Sequence, residues 1–311
     1  MKTVAWLLNL DAELELAHPD RTEPSTRLRA QTELHGKRFL SAITESDPDS
    51  DYRHQALARC STWDYLLAWC PTPEVIDQVP VQVRQQPPNL KCLQHVNHRA
   101  FAWEIAQELP NAIFARDMKE LMDHLQACPI PDQGWLLKRA FGFSGRWRKH
   151  VRGGLDDASR AWCEASMHEY GIGLQVEPYV DILAEFTLHG LLDPTGTVLQ
   201  GEPTRLYSDP KGSWIGNQKV IESVSDTEKE AFQQAFTACA KALHAAGYSG
   251  PFGIDGFRWR DTEGNVCWQS LSDLNARFTM GYFVGMHHHH QGVIEACDLA
   301  ATSQGISLPD S

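Results

Sequence analysis

The chain has 311 residues, of which 22% are charged and 42% hydrophobic, with a net charge of −12 at pH 7. That length can bury a large core in one to three compact units, and the composition is that of an ordinary globular protein. With no basic stripe to offset it, the acidic balance excludes a nucleic-acid binder that works by neutralising phosphates.

The eight cysteines form no C-x-x-C pair and no regular framework, and several sit in apolar stretches. Free thiols in a reducing cytoplasm are expected. The apolar run after Met1-Lys2 ends at Asn9 and Asp11, too soon for a secretory signal. No run reaches membrane-spanning length, so no membrane partner is expected.

In chain order, residues 3–8, TVAWLL, predict a buried strand. Leu28–Leu34 predicts a short helix, Arg38–Ile43 a second strand and the acidic segment 45–54 an exposed loop. Tyr65–Trp69 predicts another strand, and Thr72-Pro73-Glu74 a helix start. This alternation implies an open α/β unit with parallel strands. Gln85-Gln86-Pro87-Pro88-Asn89 reads as a linker.

Asn97–Leu109 then predicts a helix, Ala112–Ala115 a strand, and Asp117-x-x-Glu120 a capping box opening a helix. Trp135–Ala140 is a strand carrying Lys138, followed by FGFSGRWRKHVRGG (141–154), a glycine-rich basic loop. Asp156–Tyr170 predicts a helix with Gly171 as its C-cap. Ala184–Leu192 and Thr197–Leu199 flank the turn 193–196 as a hairpin, residues 207–214 read as a loop, and Ser225-x-x-Glu228 caps a long helix ending near Gly247.

The stretch 250–281 predicts two antiparallel strands joined by a polar turn at 261–265. Side chains two apart share a strand face, which aligns Asp273, Asn275 and Arg277, and Asp255 can join them from the paired strand. Two carboxylates, an amide oxygen and a guanidinium suit Mg²⁺ held with a polyphosphate. Taken alone, Asp273-Leu274-Asn275 reads equally as a polar strand end. Lys138 inside an apolar strand is costly unless its ammonium meets an anion or emerges at the strand end. The loop glycines open the backbone N–H groups to an oxyanion, and Arg139, Arg146 and Arg148 supply charge. The run His287–His290 reads as incidental surface histidines with no native metal.

The order strand lysine, glycine-rich loop, then Asp255…Asp273-x-Asn275-x-Arg277 resembles the ATP-grasp ligases over about residues 95–285. Where the family carries Glu-x-Asn, this chain has Asp273. The family's earlier lysine is matched by Arg99, or by His98. The resemblance implies an α/β and α+β architecture: an N-terminal α/β domain (1–94), a central ATP-grasp lobe (95–177) and a C-terminal lobe with the metal site (178–311). It implies ATP and Mg²⁺ (Mn²⁺ being an alternative) as cofactors, with Asp255, Asp273 and Asn275 as metal ligands. Arg99, Lys138, Gly142, Ser144, Gly145 and Arg146 would contact phosphates. Glu177, Tyr179 and Val180 would form the adenine hinge, Glu185 would hold the ribose, and Leu274, with Leu137 and Ile182, would sandwich the base. Lys138 and Arg277 would carry catalysis.

The implied reaction is carboxylate–amine or carboxylate–thiol ligation through an acyl phosphate, on an amino acid, peptide or small carboxylic acid, in a cytoplasmic enzyme compatible with a homodimer. A nucleotide-binding protein without turnover and a kinase-like phosphoryl transferase are the alternatives.

Overall fold

The computed structural model describes residues 1–18, 26–77, 79, 88–106, 109–128, 130–142, 147–169, 173–209, 214–219 and 224–299, with the side chains of 26–31 and 169 left aside. Among these residues the strands form three sheets. In the first, β1 (Lys2–Leu7) lies between β2 (Tyr52–Ala56) and β3 (Tyr65–Ala68), parallel to both. A parallel central strand is covered on both faces, which explains the unbroken apolar run. β2 falls partly in the expected acidic loop.

α1 (Ala12–Ala17) and α2 (Thr26–Ser46) follow β1 in the chain. The strand expected at Arg38–Ile43 is instead helical. His35, Phe39 and Ile43 recur every fourth residue and all are buried, so one helix face reads locally as a short apolar run. After β3 comes α3 (Pro73–Ile76), a single turn. Thr72 does not cap it through its side chain; its hydroxyl donates to Glu15 at 2.5 Å.

α4 (Leu90–Asn97) and α5 (Arg99–Ile105) replace the single helix expected from 97 to 109. The break is at His98, whose imidazole accepts the Ala100 N–H at 3.2 Å as an N-cap. Antiparallel strands β4 (Ile113–Ala115), β5 (Trp135–Arg139), β6 (Arg148–Val151) and β7 (Leu174–Pro178) form the second sheet in the order β4-β7-β5-β6. α6 (Met118–Ala127), capped by Asp117, and α7 (Asp157–Glu169) accompany it. The far half of the expected 141–154 loop is β6.

The third sheet is antiparallel. Its order is β11 (Trp214–Lys219), β10 (Thr204–Ser208), β8 (Asp181–Leu192), β12 (Gly250–Arg260) and β13 (Val266–Asn275), with β9 (Val198–Gln200) paired to β8. β10 and β11 flank the expected 207–214 loop and overlap it only at Tyr207, Ser208 and Trp214, while residues 210–213 lie outside the described residues. α8 (Asp226–Ala245) carries the complete Ser225/Glu228 capping box. α9 (Tyr282–Gly285) and α10 (His290–Cys297) close the described chain.

One continuous core runs from β1 through α4 and α5 to the third sheet, with Trp6 4.9 Å edge-on to Phe278 and 5.0 Å from Phe39. The second sheet has its own core of Trp135, Leu137, Cys163, Leu174 and Val176. All eight cysteines are free. No helix among the described residues is long and apolar enough to cross a membrane.

A buried relay joins the N-terminal sheet to α10. The Trp6 indole donates to His54 Nδ1 at 3.0 Å, so His54 carries its proton on Nε2 and donates to His290 Nε2 at 3.1 Å. His290 Nδ1 in turn donates to Asp47 at 2.9 Å. Every partner is satisfied with both rings neutral. Burial, and then the neighbouring His290, push His54 down to about 3, and burial alone does the same to His189. The unfolded chain therefore binds more protons once the pH falls below about 6.5, and stability is lost from there down towards 3, at up to ~1.4 kcal/mol per pH unit for each histidine. Urea midpoints should fall from pH 6 to 4.5, by less than the two histidines alone would give because the Asp255 carboxyl, raised to about 8, works in the opposite direction; a fall in the wild type no larger than in a His54→Gln variant would show that this ring is not held neutral.

Candidate active site

A cleft of about 860 Å³ opens between the second and third sheets. From the second sheet, the alternation of β5 turns Leu136 and Lys138 into the cleft, while Trp135, Leu137 and Arg139 face the other way. Leu137 therefore lies in the core rather than against a ligand. Arg139 is likewise turned away from the cleft, its Nε donating to Ser166 at 2.8 Å beside the Trp162 ring. Lys138 pairs with the buried Glu177 at 2.6 Å, and Gln175 donates to the same carboxylate at 2.5 Å. Gly142 lines the cleft. Ser144, Gly145 and Arg146 lie outside the described residues.

Only Tyr179 and Val180 separate β7 from β8, and both line the cleft with Glu177 and Glu185. The Tyr179 ring stacks on His150 at 3.9 Å with 14° between planes, and its N–H donates to the Gly134 carbonyl at 2.8 Å.

On the third sheet, β12 and β13 set Asp255 directly opposite Asp273. Asn275 donates to Asp255 at 3.4 Å and accepts from Arg277 at 2.9 Å, so the four residues aligned from the sequence do meet at one end of the cleft. Leu274 does not join them. It is the intervening residue of β13, faces the core, and is absent from the lining, whereas Ile182 is present.

Two pairings were not visible in the sequence. Arg99 makes a forked contact with Asp273, at 2.9 and 3.2 Å, while its buried Nε has no partner among the described residues. Its backbone N–H donates to Ala140 at 2.9 Å, tying α5 to the start of the glycine-rich loop. His98, the other candidate, is engaged as the helix cap and packs edge-on against Phe141. Arg277 is 5% exposed. Its Nε donates to Glu13 of α1 at 2.6 Å, Nη2 contacts the same oxygen, and Nη1 donates to the Phe278 carbonyl at 2.9 Å.

Electrostatics favour a cation here. Burial raises the Asp255 carboxyl to about 8, and the nearby Asp273 and Glu185 push the same way. Carboxylates that hold one another protonated gain from a positive charge between them. Arg99 supplies one such charge, and the donor set of two carboxylates and an amide oxygen fits Mg²⁺ shared with phosphates. Beside these carboxylates on the same sheet, where Thr187 pairs with Asp255, lies a polar network that sequence reasoning missed. Trp214 donates to Asn217 at 2.6 Å, and Asn217 donates to Thr204 at 2.8 Å and Thr187 at 3.1 Å. Thr187 lies on β8, which its apolar run marks, whereas β10 and β11 have little apolar signal.

No protein-family model matches the chain, and no curated protein sequence matches it. Solved structures do. The beta-gamma-ATP complex of biotin carboxylase from Campylobacter jejuni aligns with a TM-score of 0.58 at 11% identity, over 98% of this chain and 72% of that one. N5-carboxyaminoimidazole synthetase from Staphylococcus aureus, complexed with ADP, aligns with a TM-score of 0.50 at 10% identity, over 98% and 78%. The chain has the ATP-grasp fold. Within that fold, the cleft described above lies between the two ATP-grasp sheets. A third similar structure, the biotin carboxylase domain of Hydrogenobacter thermophilus 2-oxoglutarate carboxylase with MgADP, has a TM-score of 0.46 at 15% identity over 62% of this chain. This chain spans 42% of that one, less than half its length.

Proposed function

We propose that the chain is an ATP-dependent ligase that activates a carboxylate and joins it to an amine, with Arg99, Lys138, Glu177, Tyr179, Val180, Glu185, Asp255, Asp273 and Asn275 forming its nucleotide site. The observation that carries this reading is the cleft itself, which sets the strand lysine of one sheet across from the paired aspartates of the other. Adenine nucleotides in the similar structures from C. jejuni and S. aureus support it.

The base would lie at the Tyr179–Val180 connection, with Glu185 below the ribose. Lys138 would leave Glu177 for the phosphates, and the unpartnered Nε of Arg99 offers them a further donor. Mg²⁺, held by Asp255, Asp273 and Asn275, would neutralise the triphosphate charge. A substrate carboxylate oxygen would attack the γ-phosphorus, ADP would leave, and an amine would then displace phosphate from the acyl phosphate. Such chemistry rests on positioning and charge stabilisation rather than on a protein nucleophile. Arg277, held by Glu13, would act by fixing Asn275.

Lys138→Ala should weaken ATP binding by about 1–3 kcal/mol, the range for a lost charge-assisted contact. Calorimetry showing unchanged affinity in the folded variant would remove Lys138 from the site. The ligase reading itself is tested by ADP release with Mg²⁺-ATP and a panel of amino acids, peptides and small carboxylic acids. Nucleotide binding without carboxylate-dependent ADP release would favour a second reading, a binding protein without turnover. The forked Arg99–Asp273 contact is the observation on its side, since it sets a resident cation on a metal ligand.

A further inference from the structure

The run of four histidines is divided by the fold. His290 turns inward to His54 and Asp47. His287 and His288 stay at the surface beside Glu202, which lies between β9 and β10. One candidate ligand atom from each of these three residues can be chosen so that all lie within 4.8 Å of one another. We propose that Glu202, His287 and His288 form a binding site for a divalent transition-metal ion, with Zn²⁺ the best match to the donors.

The donor types come first. Two imidazole nitrogens and one carboxylate oxygen suit the borderline ions of the late first row far better than Mg²⁺ or Ca²⁺, which favour all-oxygen shells. Three protein ligands leave one position of a tetrahedral ion for water. With Zn–N and Zn–O bonds near 2.0–2.1 Å, neighbouring ligand atoms of a tetrahedron stand roughly 3.3 Å apart. The His288 Nε2 and Glu202 oxygen already stand 3.8 Å apart, and the two imidazole centroids are 3.6 Å apart. To share one ion, the Glu202 oxygen and His288 Nε2 must close slightly while the two rings swing apart, since tetrahedral Zn–N bonds of about 2.0–2.1 Å set imidazole centroids roughly 5 Å apart.

The backbone beneath these ligands is held firmly, so their spacing is not an accident of two loose loops. The Glu202 N–H donates to the Gly285 carbonyl at 2.9 Å, and the Gly201 N–H donates to the His189 carbonyl at 2.9 Å. A methyl group on Gly201 would fall 2.5 Å from the Gly285 oxygen, so the two segments approach as closely as glycine allows. Met286, next to His287, is fully buried, and its N–H donates to Tyr282 at 2.9 Å. The buried His287 Nδ1 has no hydrogen-bond partner among the described residues. Burial holds the His287 pKa down, Lys219 and His288 push the same way, and Glu202 opposes them with a smaller effect. With Glu202 and His288 open to solvent, an ion needs no path through the protein. Once bound, it would tie the β9–β10 connection to the segment after α9.

The test is calorimetric titration of Zn²⁺ into the EDTA-treated full chain, in excess Mg²⁺ to occupy the cleft carboxylates. One equivalent should bind, and His287→Ala, His288→Ala and Glu202→Gln should each weaken it tenfold or more, while His289→Ala leaves it unchanged. The ligands lie at the surface, so circular dichroism can verify that each variant is folded. Co²⁺ in place of Zn²⁺ should give the visible absorption of a tetrahedral nitrogen–oxygen site without thiolate charge-transfer bands. Absence of stoichiometric Zn²⁺ uptake would overturn the proposal. So would unchanged affinity in the His287→Ala/His288→Ala double variant, equal loss on His289→Ala, or a thiolate band in the Co²⁺ spectrum.

Discussion

Glu13→Ala should cost the protein about 3–5 kcal/mol of stability, the range for removing one partner of a buried ion pair. The expectation rests on what remains behind. Glu13 and Arg277 are 3% and 5% exposed, and the guanidinium sits 5.6 Å over the Trp69 ring, with Asn275 and the Phe278 carbonyl as its other acceptors among the described residues. Without Glu13 a full positive charge is left in an enclosed place. Removing both partners should cost less than the two single losses added together, because neither charge is then stranded. Denaturant unfolding of the two single variants and the double variant measures this coupling directly. A loss below about 1 kcal/mol for Glu13→Ala would show that Arg277 finds another counter-charge or water.

Asp255→Asn should act in two opposite directions. Turnover and Mg²⁺-dependent ATP affinity should fall by roughly 100-fold or more, since the carboxylate proposed as a metal ligand is lost while the amide keeps only one weak acceptor. The free protein should become more stable by about 1 kcal/mol, because Asp255 faces Asp273 and Glu185 in a partly desolvated floor. Thermal unfolding without ligands, beside calorimetry with Mg²⁺-ATP, separates the two effects. A destabilised variant that still turns over would contradict both halves. Asp273 is a less clean target, because its loss also releases Arg99.

Local chemistry explains what could be read from the chain. Ser225 and Glu228 cap each other three residues apart, and Asp193 and Asp261 fold their own turns. Asp255 and Asp273 become neighbours through a hairpin whose turn is written between them. The failures share a different cause. The apolar stretch of α2 is helical because Phe39 and Ile43 point to one core across many residues of sequence. Arg99 meets Asp273 from 174 residues away, and Arg277 meets Glu13 from 264 residues away. No local signal carries such a pairing, so both arginines could be expected only as ligands for phosphate. The four-histidine run reads locally as a single surface feature, whereas His290 pairs with His54 and Asp47, more than two hundred residues away.

The two-residue joint between β7 and β8 makes the second sheet a lever. Its near end is pinned, since Trp135 pairs with Pro178 and Tyr179 is tied to Gly134. Its outer end is tied to α5 by the Arg99–Ala140 hydrogen bond, so any turn of the sheet about that pivot would have to release this contact. At about 3.4 Å per strand residue, Lys138 stands about 10 Å out from Trp135, so a swing of roughly 15–20° carries its ammonium through one hydrogen-bond length. Mechanical gain is therefore smallest at the tyrosine and greatest over the aspartates. A modest torque at Tyr179 and Val180, where a planar base would rest, would be felt most at the opposite end.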